Sequence, residues 1–205
     1  MNPRVLAACL LVATVTTAHA DRVVFLPTGY TLQPGEIRVE FLRETRTPAQ
    51  TLVYVQAAVM PFLEVQGVWE DLPGSGAAAS LNVQYSITQP FPDVLPGVSV
   101  GVLDLLGETG AGFSLFTAIT WQTGIFSNWA TTESANITIG YGTGRFRGAF
   151  VALELPMFQG VTFIGEHDSR ELIAGLEFEP VNGIALRVLV RERGPLIGVQ
   201  FRRKF

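Results

Sequence analysis

Two groups of side chains have the types and spacing for chemistry. His167-Asp168-Ser169 sets an imidazole two residues from a hydroxyl, and such a pair, oriented by a carboxylate, performs acyl hydrolysis. The second group is Glu154, Glu166, Glu177, Arg187 and Arg191, which could pair with one another or line a solute path. Other patterns carry less. Gly140-Tyr141-Gly142-Thr143-Gly144 has the look of a phosphate loop, but Arg145-Phe146 leads into a strand and no helix follows. Gly107-Glu108-Thr109-Gly110 reads as a turn. Cys9 is the single cysteine, so thiolate metal sites and iron–sulfur clusters are excluded, and no metal or cofactor is expected. A net charge of −4 argues against a nucleic-acid partner.

The elements that must position these groups begin after a leader. Arg4, the uncharged run Val5–Val15 and Ala18-His19-Ala20 describe a secretory signal peptide over 1–20, cut near Ala20. Leu6-Ala7-Ala8-Cys9 also fits the pattern at which lipoproteins are cut and acylated, although only eight residues precede the cysteine. Beyond Asp21 no window holds a helical apolar period. Stretches of alternating polarity punctuated by Gly, Pro, Asn or Asp recur instead. They predict strands near 36–43, 51–59, 63–70, 78–88, 97–104, 112–122, 134–142, 148–155, 160–167, 171–178, 183–190 and 195–203. The expected architecture is all-β: a closed antiparallel up-and-down transmembrane barrel of about twelve strands, with ten or fourteen as alternatives. It would occupy 36–205, after an N-terminal periplasmic segment over 21–35.

Three features favour a membrane barrel over a sandwich. First, the polar face of each strand is rich in Gly, Ser, Thr, Asn and Gln, and Lys204 is the only lysine. A lumen of small polar groups and paired charges inside an apolar exterior fits that pattern. Secondly, Trp69, Tyr85, Trp121, Tyr141 and Phe178 lie on the apolar faces near strand ends. They suggest two interfacial belts, with Trp69 and Tyr141 at the outer rim and the other three at the periplasmic rim. Thirdly, the C-terminus places Ile197, Val199, Phe201 and Phe205 on one face, interrupted by Arg203. That resembles the terminal strand by which outer-membrane barrels are recognised for assembly. The implied partners are therefore outer-membrane lipid and the barrel-assembly machinery.

By strand parity Glu154, Glu166, Glu177 and Arg187 point inward. His167 would face lipid with every nearby carboxylate on the opposite face, an arrangement that disfavours the hydrolase and an enzymatic role in general. Connections are short, which disfavours loop-borne binding of bulky ligands.

Ser99-Val100-Gly101-Val102-Leu103-Asp104-Leu105-Leu106-Gly107, Gly140 through Phe146 and Gly165-Glu166-His167-Asp168, leading into Gly175-Leu176-Glu177-Phe178-Glu179-Pro180, resemble motifs of YjbH-type outer-membrane proteins over 99–185. The resemblance implies a barrel associated with exopolysaccharide export, and polysaccharide as a partner. The chain is much shorter than the larger members, and His167 stands where an aromatic is expected. The resulting expectation is a structural or export-accessory outer-membrane barrel. A narrow passive channel is the first alternative, and a lipid A acyl hydrolase using His167 and Ser169 the second.

Overall fold

A polypeptide in hydrocarbon must pair every backbone amide internally, so a sheet survives there only by closing on itself. The computed structural model does this. It describes residues 22–46, 48–72, 74, 76–109, 112–124 and 134–205; the expected signal peptide and Cys9 lie outside the described residues. The strands are β1 (Glu36–Glu44), β2 (Thr51–Met60), β3 (Leu63–Leu72), β4 (Gly76–Thr88), β5 (Gly97–Leu103) and β6 (Ser114–Thr123), then β7 (Ala135–Gly142), β8 (Gly148–Phe158), β9 (Val161–His167), β10 (Leu172–Val181), β11 (Ile184–Arg191) and β12 (Gly194–Lys204). Each pairs antiparallel with its neighbours in sequence, and β12 pairs with β1 from Glu36↔Lys204 to Glu44↔Leu196 to close the barrel. Twelve strands are observed where about twelve are expected.

The two faces of the wall decide which solvent surrounds it. On β1, Ile37, Val39 and Phe41 are exposed while Glu36, Arg38 and Glu40 are buried. On β11, Leu186 and Val188 are 45% and 59% exposed, and Arg187 between them is 1% exposed. A water-soluble barrel would exchange those faces. This wall turns hydrocarbon outward and charge inward, as a transmembrane barrel does.

The barrel has a terminal end, where β1 begins and β12 finishes, and a far end. Four register shifts, at Ala58/Met60, Ser86/Thr88, Pro156/Phe158 and Phe178/Val181, all fall towards the terminal end. Rim bulges of this kind end pairing and bend strands, and Pro156, which has no amide hydrogen to donate, sits beside one. Inside the wall, glycine makes room for large neighbours. A Cβ on Gly140 would lie 2.0 Å from the Phe150 ring, so the phenylalanine lies flat across β7.

The stretch 21–35, expected as a periplasmic segment, is placed differently. Residues 22–32 run inside the barrel and are buried almost throughout. Val23 donates its amide to Leu26 O at 3.1 Å, and Arg22 bridges to Pro27, so the segment turns within the lumen before descending to β1. The lumen is also less uniformly polar than expected. Val23, Val24, Phe25 and Leu26 join Leu42, Leu52, Phe116, Phe150, Ile164, Leu189 and Leu196 in an apolar cluster. Burying one such side chain contributes roughly 1.5–3 kcal/mol relative to leaving it exposed to water. That gain draws the segment inward where a purely polar lumen would not.

Candidate functional site: the plugged lumen

The plug is tied to the wall by backbone as well as side chains. The amides of Val24, Phe25 and Leu26 all point at the Glu166 carboxylate, at 3.1, 3.1 and 3.4 Å. Successive amides converging on one carboxylate form a small anion nest. Lower down, Gly29 donates its amide to Thr120 Oγ1 at 2.7 Å. The Thr28 carbonyl accepts from Ser99 Oγ at 2.6 Å and from Gln84 Nε2 at 3.0 Å. Gln84 Nε2 also reaches the Tyr30 carbonyl at 2.8 Å, and Leu32 donates its amide to Glu64 at 3.0 Å. A buried backbone without such partners would be strongly disfavoured. Close approach completes the fit: a Cβ on Gly29 would lie 2.2 Å from the Gly97 carbonyl oxygen. Plug and wall meet there at a distance only glycine permits.

Charged side chains tie the plug to the wall and the strands to one another. Arg187 bonds Glu177 on the adjacent strand at 2.6 Å and reaches Glu40 of β1 at 2.6 Å. On β12, the strand between them, Gly198 stands opposite Arg187 and Gln200 opposite Glu40. Glu40 in turn pairs with Arg22 of the plug, whose guanidinium carbon lies 3.5 Å from the Tyr54 ring centroid. Arg191 pairs with Glu44 and also donates to Gln50 at 2.6 Å. Near the terminal end Arg202 approaches Glu36 at 3.6 Å and Glu179 at 3.5 Å.

The expected lumen cluster is thus brought together in part. All five residues face inward, but only Glu177 and Arg187 pair with each other. Glu154 accepts from Asn136 at 2.9 Å, and Glu166 holds the plug. The residues missed are Arg22, Arg38, Glu40 and Glu44. Glu36-Ile37-Arg38-Val39-Glu40-Phe41 alternates charge with hydrocarbon so regularly that the inward charges of β1 were readable.

The hydrolase pair is not assembled for catalysis. His167 Nδ1 accepts the Ser169 backbone amide at 3.2 Å, and Ser169 Oγ donates to the Ala149 carbonyl. The hydroxyl is therefore not hydrogen-bonded to the imidazole that would activate it. Asp168 caps its own turn through the amides of Arg170 and Glu171, at 3.0 and 2.9 Å. The turn after β5 is closed similarly, with Asp104 accepting from the Glu108 and Thr109 amides at 3.1 and 2.9 Å.

The aromatic residues Trp69, Tyr85, Trp121, Tyr141 and Phe178 are all exposed on the outer wall. Trp69 and Tyr141 lie towards the far end, the other three towards the terminal end. Ile197, Phe201 and Phe205 are exposed on that wall too, with Val199 half-buried. Arg203, the exception in that row, has its guanidinium carbon 5.2 Å from the Phe205 ring centroid.

Above the plug, towards the far end, the lumen holds a cavity of about 450 Å³. Arg22, Phe25 and Pro27 of the plug form its floor, and the connecting turns of the far end surround its mouth.

No protein-family model matches the sequence, and none of the curated proteins does. Among solved structures, a mutant of the Rh. blastica porin is similar at 11% sequence identity and a TM-score of 0.37. The match covers 75% of this chain and 55% of that porin chain, little more than half its length.

Proposed function

We propose that this chain is a bacterial outer-membrane β-barrel, closed at rest by its own N-terminal segment, with a structural or export-accessory role in the envelope. The observation that carries this reading is the placement of residues 22–32. Their backbone is hydrogen-bonded to inward side chains of β3, β4, β5, β6 and β9, and Arg22 is ion-paired to β1. A passive channel needs a continuous water path, and a segment held by that many partners obstructs one. The outer-membrane assignment is supported by the closed wall and its apolar exterior, since spanning sheets of this construction are the bacterial outer-membrane solution. The engaged hydroxyl of Ser169 counts against the hydrolase reading. The resemblance to YjbH-type proteins adds surface polysaccharide as the process served.

Planar-bilayer recording tests the closed state directly. The wild-type barrel is expected to insert without conducting, and loss of the chain from its host is expected to alter surface polysaccharide. Steady wild-type conductance with unchanged polysaccharide would favour the passive channel instead.

A further inference from the structure

Basic residues are spread unevenly round the barrel. Residues 47–144 contain no arginine or lysine, so the far-end turns between β3 and β4 and between β5 and β6 carry no cation. The other far-end turns follow one another round the closed sheet, and each is basic: Arg147 between β7 and β8, Arg170 between β9 and β10, Arg193 between β11 and β12, Arg46 between β1 and β2. These side chains are exposed, as is Arg43 near the end of β1. None of them makes an ion pair among the described residues. Arg43 is set into the lipid face. It follows Ile37, Val39 and Phe41 in the outward row of β1, and its cross-strand neighbours are Thr51 of β2 and Ile197 of β12. A guanidinium on that face is costly at mid-bilayer and nearly free of cost at the interface, where its stem lies along hydrocarbon and its head reaches the headgroups. Arg43 therefore marks the headgroup level at the seam between β12 and β1. Arg46 lies just beyond it: a Cβ on Gly194 would come 2.8 Å from Arg46 Cδ, so this side chain crosses the β11–β12 turn beside Arg193. Carboxylates flank the arc without pairing to it. Asp71 continues the outward row opposite Thr51, and Glu192 is exposed next to Arg193. Arg170 donates to the Gly144 carbonyl at 3.3 Å, and Arg170 and Arg193 also border the cavity mouth.

We infer that the far-end rim from β7 round through β12 to β2 binds the phosphate groups of a phosphorylated membrane lipid, with Arg43 and Arg46 at the centre of the site. Guanidinium groups take phosphate oxygens through paired, charge-assisted hydrogen bonds. Below them Val39, Phe41 and Ile197 are exposed on the outer wall and offer hydrocarbon to acyl chains. A soluble phosphate gives no reason for a cation at the end of a hydrocarbon row. A lipid does, because its charge and its chains meet at that level.

The site rests on the outer-membrane reading, in which the far end is the outer rim. The test uses the full chain in phosphatidylcholine nanodiscs, with phosphorylated lipid A and the same lipid stripped of phosphate as probes, read by native mass spectrometry of the released barrel. The phosphorylated lipid is expected to stay bound saturably, and the stripped one at least about tenfold more weakly, since the charge-assisted bonds are lost. Arg43→Gln combined with Arg46→Gln should weaken the phosphorylated lipid by about tenfold or more. It should leave the stripped lipid and the heat-modifiable mobility unchanged. Asp71→Asn, in the same outward row, should weaken neither lipid. Equal retention of the two lipids, an unaffected double variant, displacement of the lipid by inorganic phosphate, or tighter binding of polygalacturonate at the same arginines would each overturn the site. A chain that enters nanodiscs as a folded barrel without that preference refutes the lipid site alone. A chain that never enters them refutes the outer-membrane reading and the site with it.

Discussion

The two halves of the lumen share one wall and one alternation, yet they are finished differently. Around the plug, inward side chains are engaged with it or with each other: Glu166 with three amides, Arg187 with Glu40 and Glu177, Thr120 with Gly29. Above it, towards the far end, the wall encloses a cavity of about 450 Å³, and Arg145 on its lining makes no ion pair among the described residues. Charge held by a fixed partner fixes geometry, and charge at the cavity does not. Substitutions beside the plug should therefore cost more stability than substitutions around the cavity.

The largest effect belongs to the locked half. Arg187→Leu leaves Glu40 and Glu177 without their shared partner, and breaking a buried pair from one side costs about 3–5 kcal/mol. Urea unfolding in detergent micelles should show that loss. Glu166→Gln exchanges a carboxylate for a weaker acceptor at the nest, a cost of about 1–3 kcal/mol. Brief conductance steps in planar bilayers should accompany it as the plug tip loosens. Gly29→Leu leaves the ionic lock untouched but drives a side chain into the β5 backbone, and overpacking of this kind costs about 1–3 kcal/mol. Sustained conductance is expected from a barrel that still migrates as folded. By contrast Arg145→Gln, in the open half, should change unfolding by less than about 0.5 kcal/mol. Loss of stability there as large as that of Arg187→Leu would erase the contrast. Smallest of all is His167→Ala, for which lipid A acyl chains, read by mass spectrometry, should be unchanged.

Much of this fold was legible from periodicity. Strands such as β1, β7 and β11 show two-residue alternation, because each presents hydrocarbon to one side and mostly polar or small groups to the other. The outward row Leu186, Val188 and Val190 and the inward pair Arg187 and Arg191 follow from that rule alone. The plug did not follow, because Val23-Val24-Phe25-Leu26 is an unalternated apolar run that resembles nothing but a leader's edge. Its destination depends on long-range partners, Glu166 and Thr120, more than ninety residues away in sequence. Strand parity gave the direction of Glu154 and Glu166, but parity carries no information about which side chain lies across the lumen. Glu166 was therefore grouped with the arginines when its partners are backbone amides.

The placement of residues 22–32 within the barrel is the claim on which the rest depends, and cross-linking addresses it without reliance on conductance. With Cys9, the sole cysteine, replaced by serine, Thr28→Cys can be combined with Ser99→Cys or Val100→Cys. Ser99 faces the plug, its Oγ 2.6 Å from the Thr28 carbonyl, while Val100 is exposed on the outer wall. Oxidation of the folded barrel in membranes should join 28 to 99 and leave 28 and 100 unlinked. Failure of the first pair to cross-link in folded protein, or equal yields from both, would contradict a plug inside the lumen.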